Sequence, residues 1–248
     1  LTTGFPIPPD WRPETDGPPG TVVLARALKE LGAQPVVVAE PPLEAPIDAA
    51  AEVCGLTDLP FKAIPPDVTT TATSETPLDR YDPGAVIAIE RPGRTADNTY
   101  RSMTGTDITA HVAPMDSLFA IARDREIPTI AVGDGGNEIG MGGVRSTVEA
   151  EIEYGEQIAA TTAVDHLVVA GVSNWGAYGI VAALDHLTGN ALLHDPPTER
   201  ELLAACCAAG CVDGRSGVAK PWVDGLSTAT HEHVVGLFME LSRHERGK

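Results

Sequence analysis

The sequence predicts an α/β fold: a mostly parallel sheet with helices on both faces, in a Rossmann-like three-layer sandwich. Two observations support this prediction. Short apolar runs alternate with segments of helical length, and loops rich in glycine and acidic residues follow several of the apolar runs. This alternation is typical of parallel sheets, whose ligands bind beyond the carboxyl ends of the strands. We expect residues 1–248 to form a single domain of this kind.

Each element is predicted from its hydrophobic period. Apolar runs indicate strands at residues 36–39, 85–89, 129–132, 166–169 and 191–193, and residues 1–4 look like the end of a further strand. Helical periods indicate helices at residues 22–31, 47–55, 117–125, 148–161, 176–187, 199–209 and 231–243. Residues 65–83 are rich in proline and threonine and show neither period, so we expect an irregular excursion there.

The composition disfavours several classes of protein. With 35 acidic and 17 basic residues the formal net charge is −18, which argues against nucleic acids and anionic membranes as partners. No apolar stretch is long enough to span a membrane, and no signal peptide is visible. The four cysteines form no C-x-x-C pair, so we expect buried thiols and a cytoplasmic location. Association into a homo-oligomer stays open.

The segment 132–143 is the most informative part of the chain. It holds six glycines, two carboxylates and an amide, directly after the strand predicted at 129–132. Such glycines bring bare N–H groups close to a ligand, which suits a small charged substrate with or without a metal ion. The segment lacks the Gly-Lys-Ser/Thr ending of a P-loop, and Glu138 replaces the third glycine of a dinucleotide fingerprint. An ordinary structural turn is the alternative.

Two other loops lead into predicted helices. Residues 14–21 precede the first helix, whose free N–H groups could hold a carboxylate, unless Asp16 or Thr21 simply caps it. Ser173 and Asn174 open another helix. Capping is the usual role of such residues, and their side chains could also bind a carboxylate.

A charged loop follows the strand at 85–89. Glu90 and Arg91 stand at the strand's end, where an open sheet places its catalytic groups. The alternative is a solvated loop whose acids and arginines merely pair with one another. An anionic substrate would need local cations in so acidic a protein. The candidates near the motifs are Arg91, Arg94, Arg101 and Arg145.

In this order, the loops resemble the D-glutamate cyclase family, specifically its C-terminal catalytic-type domain, over about residues 1–180. The resemblance rests on Thr3-Gly4-Phe5, residues 14–20, residues 90–93, Asp97 with Tyr100, and residues 103–108, 133–142 and 173–176. One departure is Asn98, where relatives usually carry glycine. Asparagine tolerates a left-handed backbone, so the turn can be kept.

The resemblance implies a hydro-lyase, an enzyme that closes D-glutamate to 5-oxo-D-proline with loss of water. The α-ammonium must lose a proton before its nitrogen attacks, and a γ-carboxylate oxygen must leave as water. We expect Glu138 or Asp134 to be the base, and Glu90, with a pKa raised by burial, to be the acid. The developing oxyanion would be held by the N–H groups of Gly135 and Gly136 and by Asn137.

The implied reaction needs no organic cofactor, and a divalent ion, Mg²⁺ or Mn²⁺, is an option. Hard cations prefer oxygen ligands, so the expected metal ligands are Asp107, Asp134 and Glu138. Asp107 is also counted among the catalytic candidates. The substrate would be D-glutamate or a similar small carboxylate. Its expected binding residues are Gly4, Thr15, Asp16, Gly17, Arg91, Asp97, Tyr100, Gly133, Gly135, Gly136, Ser173 and Asn174.

Two other functions stay open on the sequence. The same carboxylates suit a metal-dependent hydrolase of a small amide or phosphate. The chain could also be a domain that binds an amino acid without catalysis. Loss of all activity with a chelator would favour a metal-dependent enzyme, and saturable glutamate binding without turnover would favour the binding domain.

Overall fold

Parallel strands form the centre of the computed structural model, which describes residues 1–67 and 76–244. The strands are β1 (Thr2–Thr3), β2 (Pro6–Ile7), β3 (Arg12–Pro13), β4 (Val37–Ala39), β5 (Phe61–Ala63), β6 (Val86–Ile89), β7 (Thr129–Gly133) and β8 (His166–Val169). The helices are α1 (Pro18–Glu30), α2 (Glu44–Val53), α3 (Pro77–Tyr81), α4 (Asp116–Asp124), α5 (Arg145–Glu151), α6 (Gly155–Ile158), α7 (Ser173–Thr188), α8 (Pro196–Ala208) and α9 (Thr228–His244).

The central sheet has the strand order β1-β6-β7-β8, and each neighbouring pair is parallel. Thr3 pairs with Ile89, and Ile89 pairs with Val132, so the carboxyl ends of these strands are level. The chain therefore leaves β1, β6 and β7 at one edge of the sheet. This edge is the usual place for a ligand in an open parallel sheet.

A second parallel pair, β4–β5, lies beside β1. The nitrogen of Leu1 donates to the carbonyl of Val36 (2.7 Å), and the Leu1 carbonyl accepts from the N–H of Val38 (2.8 Å). These bonds continue the parallel layer past β1. The short antiparallel pair β2–β3 stands apart from this layer.

Helices cover both faces of the sheet. Side chains alternate along each strand, so successive residues enter different cores. Ile89 and Val132 belong to a core shared with α1, α2, α7 and α8, whereas Ala88 and Ala131 belong to a core shared with α4. The predicted α/β class and three-layer arrangement are confirmed. Within the described residues, no helix has both the length and the apolar character that a membrane span requires.

Most predicted elements are confirmed, but most of the helices begin earlier than their apolar periods. Helix α1 begins at Pro18 rather than at residue 22, and α8 begins at Pro196 rather than at residue 199. The first turn of a helix accepts proline because its N–H groups have no partner within the helix. A search for apolar periodicity therefore misses that turn.

The strand predicted at residues 191–193 is wrong. The N–H groups of Leu192 and Leu193 donate to the carboxylate of Asp185, at 2.9 and 3.4 Å, rather than to a neighbouring strand. A side chain at the end of α7 thus takes the bonds that a strand would form. The apolar run is buried for another reason, because Leu192 packs in the main core.

Two other predictions are corrected. The helix expected at residues 148–161 is divided into α5 and α6. The excursion at 65–83 contains α3, with Thr76 and Asp79 forming a capping box, while residues 68–75 lie outside the described part of the chain. Strand β5 is three residues long with a lysine at its centre, too short to give a period.

The edge of the sheet where β1, β6 and β7 end is called the ligand edge below. The N-termini of α1 and α7 lie there, and each is capped by a side chain from the loop of the other. The Asp16 carboxylate, just before α1, accepts the N–H groups of Ser173 (2.8 Å) and Asn174 (2.7 Å) at the start of α7. In return, Asn174 Oδ1 accepts the N–H groups of Gly17 (3.0 Å) and Gly20 (2.8 Å). The alternative of purely local capping is therefore not what the structure shows. Asp16 also accepts the N–H of Gly17 (3.0 Å), but each helix is capped by a residue from the other loop.

We expect Asn174→Ala to lower the free energy of unfolding by about 2–4 kcal/mol. The change removes two caps: the buried N–H of Gly20 loses its acceptor, and the N–H of Gly17 keeps only Asp16 Oδ1. The carbonyl of Thr15 also loses its hydrogen bond from Asn174 Nδ2. Urea denaturation gives the value. Asp195→Ala is the matched control, since it removes an exposed cap on α8, and we expect it to cost about 1 kcal/mol. Equal costs would contradict the exchanged caps.

Candidate active site

Carboxylates from separate loops converge at the ligand edge of the sheet. Glu90 follows β6, Asp134 follows β7, and Asp16 precedes α1. Carboxylate oxygens of Asp16, Asp134 and Asp224 lie within 4.8 Å of one another, and so do those of Glu90, Asp134 and Glu138. Asp134 belongs to both groups and links them. The expected meeting of Glu90, Asp134 and Glu138 is what the structure shows.

The glycine loop wraps around the side chain of Glu138. Its carboxylate accepts the N–H groups of Asp134 (2.9 Å), Gly135 (2.5 Å) and Gly136 (2.6 Å). Gly136 has φ +108°, and a Cβ there would lie 2.5 Å from Val148, so glycine is required. The expectation that these N–H groups are free for a ligand is wrong. They already donate to the carboxylate of Glu138, and these bonds fix the orientation of that side chain.

Glu90 is buried in a left-handed backbone conformation, with φ +45° and 7% of its surface exposed. Its Oε2 accepts a hydrogen bond from the Ser173 hydroxyl (2.5 Å). Burial raises the pKa of Glu90 well above its ordinary value, and the nearby carboxylates of Asp134 and Glu138 raise it further. This shift favours the protonated form of Glu90, which is the form that the sequence-based assignment as an acid needs.

Asp16 and Asp134 form a carboxyl–carboxylate pair. The N–H of Ser173 donates to both, at 2.8 and 3.1 Å. Burial raises the pKa of Asp16 to about 6, and three backbone N–H donors limit that rise. Burial and the charge of Asp16 raise the pKa of Asp134 much further. Two close carboxylates cannot easily both ionise, so Asp134 carries the proton of the pair.

Asp224 and Glu14 complete the acidic site, and neither was expected there. Burial raises the pKa of Asp224 to about 8, with Asp16 and Asp213 adding to the rise. Glu14 is buried, and burial together with Asp224 raises its pKa well above the ordinary value. A Cβ at Gly214 would lie 2.0 Å from Glu14 Oε2 and 3.4 Å from Asp224 Oδ1.

A segment late in the chain brings Asp224 to the site. Asp213 is fully buried and accepts the N–H groups of Ser216 (3.1 Å) and Gly225 (2.7 Å). The expected substrate residue Thr15 ties this segment to the first loop, because its hydroxyl donates to the carbonyl of Trp222 (2.5 Å). The Asp-Gly pairs at 213–214 and 224–225 signal turns, and this was the available hint.

Arg91 is committed to structural partners. It is fully buried, its guanidinium forms two bonds with the carboxylate of Glu40, and it also donates to the carbonyls of Ala113 (2.6 Å) and Thr3 (3.3 Å). An ion pair buried this deeply does not open readily, because the other charge would be left without a partner. This corrects the expectation that Arg91 anchors a substrate carboxylate.

Asp97 and Asp107 lie on an exposed loop outside both groups of carboxylates. Asp97 accepts from Thr95 and Thr99 and pairs with Arg101 (3.0 Å), and these bonds lower its pKa. Hydrogen bonds from the side chain of Thr109 and from its backbone N–H (2.9 Å) lower the pKa of Asp107. Among the described residues, Asp107 lies outside both groups of carboxylates that could hold a metal ion, so the structure does not bring it together with Asp134 and Glu138 as expected.

Other expected site residues shape the loops. The Tyr100 hydroxyl donates to buried Asp116 (2.6 Å), and Asn137 Nδ2 donates to the carbonyl of Arg101 (2.8 Å). Gly17 has φ +97°, and a Cβ there would lie 2.3 Å from Thr3 Oγ1. A Cβ at Gly4 or at Gly133 would also meet neighbouring side chains, at 2.4 and 3.0 Å. These contacts position the loops that carry the carboxylates.

The fold and the site define an α/β protein with a buried carboxylate centre at the ligand edge of a parallel sheet. The family described as D-glutamate cyclase-like, C-terminal, matches residues 1–238, and the chain belongs to this family. The chain is also 37% identical over 202 residues to the human protein named D-glutamate cyclase, mitochondrial. That alignment covers 74% of this chain and 32% of the human protein, so the chain spans about a third of that relative.

Without divalent cations, the free energy of unfolding should fall as the pH rises from 5 to 8. Asp16, Asp134 and Asp224 have raised pKa values in the folded state, so the folded protein retains protons that the unfolded chain has released above about pH 4. The stability is therefore fully present at low pH and is lost as these groups ionise. We expect a loss of at least about 1 kcal/mol in urea denaturation.

Asp224→Asn is the informative variant for this prediction. The amide is neutral at both pH values, so the fall in stability between pH 5 and 8 should be smaller than in the parent protein. A parent protein whose stability stays constant or rises over this range would show that the carboxyl groups do not hold protons in the fold.

Proposed function

We propose that this chain closes D-glutamate to 5-oxo-D-proline with loss of water, as a carbon–oxygen lyase. The observation that supports this most is the buried set of linked carboxyl groups, some of which hold protons while others accept them. Family membership and the name of the human relative support the choice of substrate. Because the chain matches only 32% of that relative, activity in this chain by itself is part of the proposal.

The proton balance of the reaction suits such a site. The ammonium nitrogen loses two protons as it becomes a lactam nitrogen, and the departing γ-carboxylate oxygen gains two as it becomes water. No proton is consumed overall, so the site must carry protons from nitrogen to oxygen. A connected set of carboxyl groups can do this, and Asp134 links the two groups of three.

Glu90 and the Asp16–Asp134 pair take opposite roles in this proposal. Burial raises the pKa of Glu90 and so favours its protonated form, from which Glu90 donates to the departing oxygen. The Asp16–Asp134 pair carries one negative charge near neutral pH and accepts the first proton that the ammonium group loses. Of the two protons lost by nitrogen, the linked carboxyl groups pass one to the departing oxygen and return the other to Glu90, so that every carboxyl group regains its starting state. Glu138, fixed by three N–H groups, keeps negative charge near the cation of the substrate. Carbon–nitrogen bond formation and carbon–oxygen cleavage then occur between the two proton-carrying groups.

The donor set also fits a divalent metal ion. All the side chains in both groups offer carboxylate oxygens, which Mg²⁺ and Mn²⁺ prefer. The ligands would be Asp16, Asp134 and Asp224, or Glu90, Asp134 and Glu138. When bound, such an ion would neutralise part of the acidic charge and polarise a carboxylate oxygen. An organic cofactor has no role in this chemistry.

The partner in this proposal is a small molecule, D-glutamate or a close analogue. A cytoplasmic location stays a prediction from the four free cysteines, and the human relative is named as mitochondrial. Self-association likewise stays open.

Proton NMR of the purified chain tests the function directly. We expect 5-oxoproline to form from D-glutamate and not from L-glutamate, in samples with and without added Mn²⁺ or Mg²⁺. Asp134→Asn should lower turnover by at least about 100-fold, because the amide cannot transfer the proton. Asp10→Asn, which changes an exposed carboxylate away from the site, should retain turnover.

Three results would contradict the proposal in different ways. Full turnover by a folded Asp134→Asn protein would exclude the linked carboxyl groups as the proton carriers. Binding of D-glutamate without product would favour a binding domain. Hydrolysis of a small amide or phosphate only with metal present would favour a metal-dependent hydrolase.

Metal binding is tested separately by thermal unfolding at pH 8. Mn²⁺ or Mg²⁺ should raise the midpoint of the wild-type protein, because an ion that binds only the folded state stabilises it by mass action. The rise should be lost in Asp134→Asn, which removes a ligand common to both groups, and kept in Asp10→Asn. An unchanged wild-type midpoint at millimolar metal would argue against a metal in this site.

A further inference from the structure

A substrate with two carboxylates needs a cation at this acidic site. Desolvating its negative charge beside the six acidic residues would be unfavourable without an opposite charge nearby. Most of the arginines that the sequence suggested are committed elsewhere. The pairs are Arg91 with Glu40, Arg101 with Asp97 and Arg145 with Glu149.

Arg215 lies beside the acidic site on the segment that carries Asp224. The preceding residue, Gly214, approaches the carboxylates of both Glu14 and Asp224. The stem of Arg215 rests on Gly225, where a Cβ would lie 3.1 Å from Arg215 Cδ. The N–H groups of Ser216 and Gly225 donate to the carboxylate of Asp213, and these bonds hold the segment of Arg215 against that of Gly225. The side chain is therefore placed by an ordered loop.

The guanidinium of Arg215 is available for a ligand. The side chain is exposed, and it forms no ion pair with any residue in the ranges 1–67 and 76–244. Another cation on the same segment is Lys220, whose Nζ lies 3.6 Å from the centre of the Trp222 ring and 3.8 Å from Asp213. Lys220 is thus already engaged, whereas the guanidinium of Arg215 attracts the Asp224 carboxylate without forming an ion pair with it and keeps its N–H donors for a ligand.

We propose that Arg215 binds the α-carboxylate of the substrate at the solvent side of the acidic site. This inference rests on the proposed cyclase function and adds a residue to it. A guanidinium matches a carboxylate with two parallel hydrogen bonds, and so it fixes orientation as well as charge. With the α-carboxylate held outside, the ammonium and the γ-carboxylate face the buried carboxyl groups. The ion pair between Arg215 and the α-carboxylate also keeps the negative charge of this carboxylate away from Glu90 and Glu138.

Steady-state kinetics with D-glutamate test the assignment. We expect Arg215→Ala to raise KM by at least about tenfold while kcat changes less than threefold, since a charged hydrogen-bonded contact is lost in the bound state and the proton carriers are untouched. Arg215→Lys should recover part of the loss. The thermal midpoint should not change, because the side chain is exposed. Arg94→Ala, which alters another exposed arginine near the motifs, is the matched comparison.

A ligand without the α-carboxylate identifies the group that Arg215 contacts. 4-Aminobutyrate keeps the amine and the other carboxylate of glutamate, so Arg215→Ala should leave its inhibition constant unchanged. Equal weakening of both ligands would overturn the assignment to the α-carboxylate. A KM effect in Arg94→Ala and none in Arg215→Ala would move the anchor to Arg94.

The test separates this inference from the function on which it rests. Turnover by the wild-type protein with an unchanged KM in Arg215→Ala overturns the role of Arg215 alone. If the wild-type protein binds D-glutamate in calorimetry without turning it over, the cyclase proposal fails, and the dissociation constant of Arg215→Ala decides the anchor. Absence of D-glutamate binding to the wild-type protein overturns both.

Discussion

The exchange of caps between Asp16 and Asn174 is the interaction on which the site depends. It joins the starts of α1 and α7, which are separated by more than 150 residues in sequence, at the edge where the parallel strands end. The exchange also brings a carboxylate into the fold at a place where helix N–H groups compensate its burial. Asp134 can then approach Asp16, because the same Ser173 N–H donates to both carboxyl groups. The N–H groups at the start of α7 therefore both cap the helix and hold the carboxyl groups of the candidate active site.

The acidic site is unfavourable for stability by itself. Six buried or half-buried acidic residues repel one another, and the fold relieves this by binding protons, by aiming backbone N–H groups at Asp16 and Glu138, and by placing Ser173 against Glu90. Perturbed carboxyl groups of this kind cluster at functional sites. The raised pKa values then give some of the groups the protonated form that an acid needs and leave others able to accept a proton. Burial of the carboxyl groups thus lowers the stability of the fold, and by raising their pKa values it also allows them to transfer protons.

The sequence predicts the layers of the fold and the edge of the sheet where the active-site candidates lie. It predicts few of the side-chain contacts at that edge. The alternation of strands and helices is a local pattern, so the α/β class and the meeting of Glu90 with Asp134 follow from it. The partners of those residues are non-local. Glu138 turns back into its own glycine loop, Arg91 pairs with Glu40 from another strand's end, and Asp224 arrives from a segment without a distinctive motif. Hydrophobic periodicity and motif spacing carry no information about such long-range pairings. For this reason the expected oxyanion donors, the N–H groups of Gly135 and Gly136, and the expected carboxylate anchor, Arg91, have other partners in the structure.

The two arginines show why the chemical type of a residue does not settle its role. Arg91 stands next to Glu90 in sequence, yet its guanidinium is buried against Glu40 and its contribution is to hold the ends of β1, β4 and β6 together. Arg215 stands far from the motifs and keeps its charge in solvent. Salt screens the repulsion between the −18 protein and an anion beyond roughly 10 Å, so the last few ångströms of approach decide whether the anion is bound. A cation acts over that range only if it is not already neutralised, which favours Arg215 over Arg91.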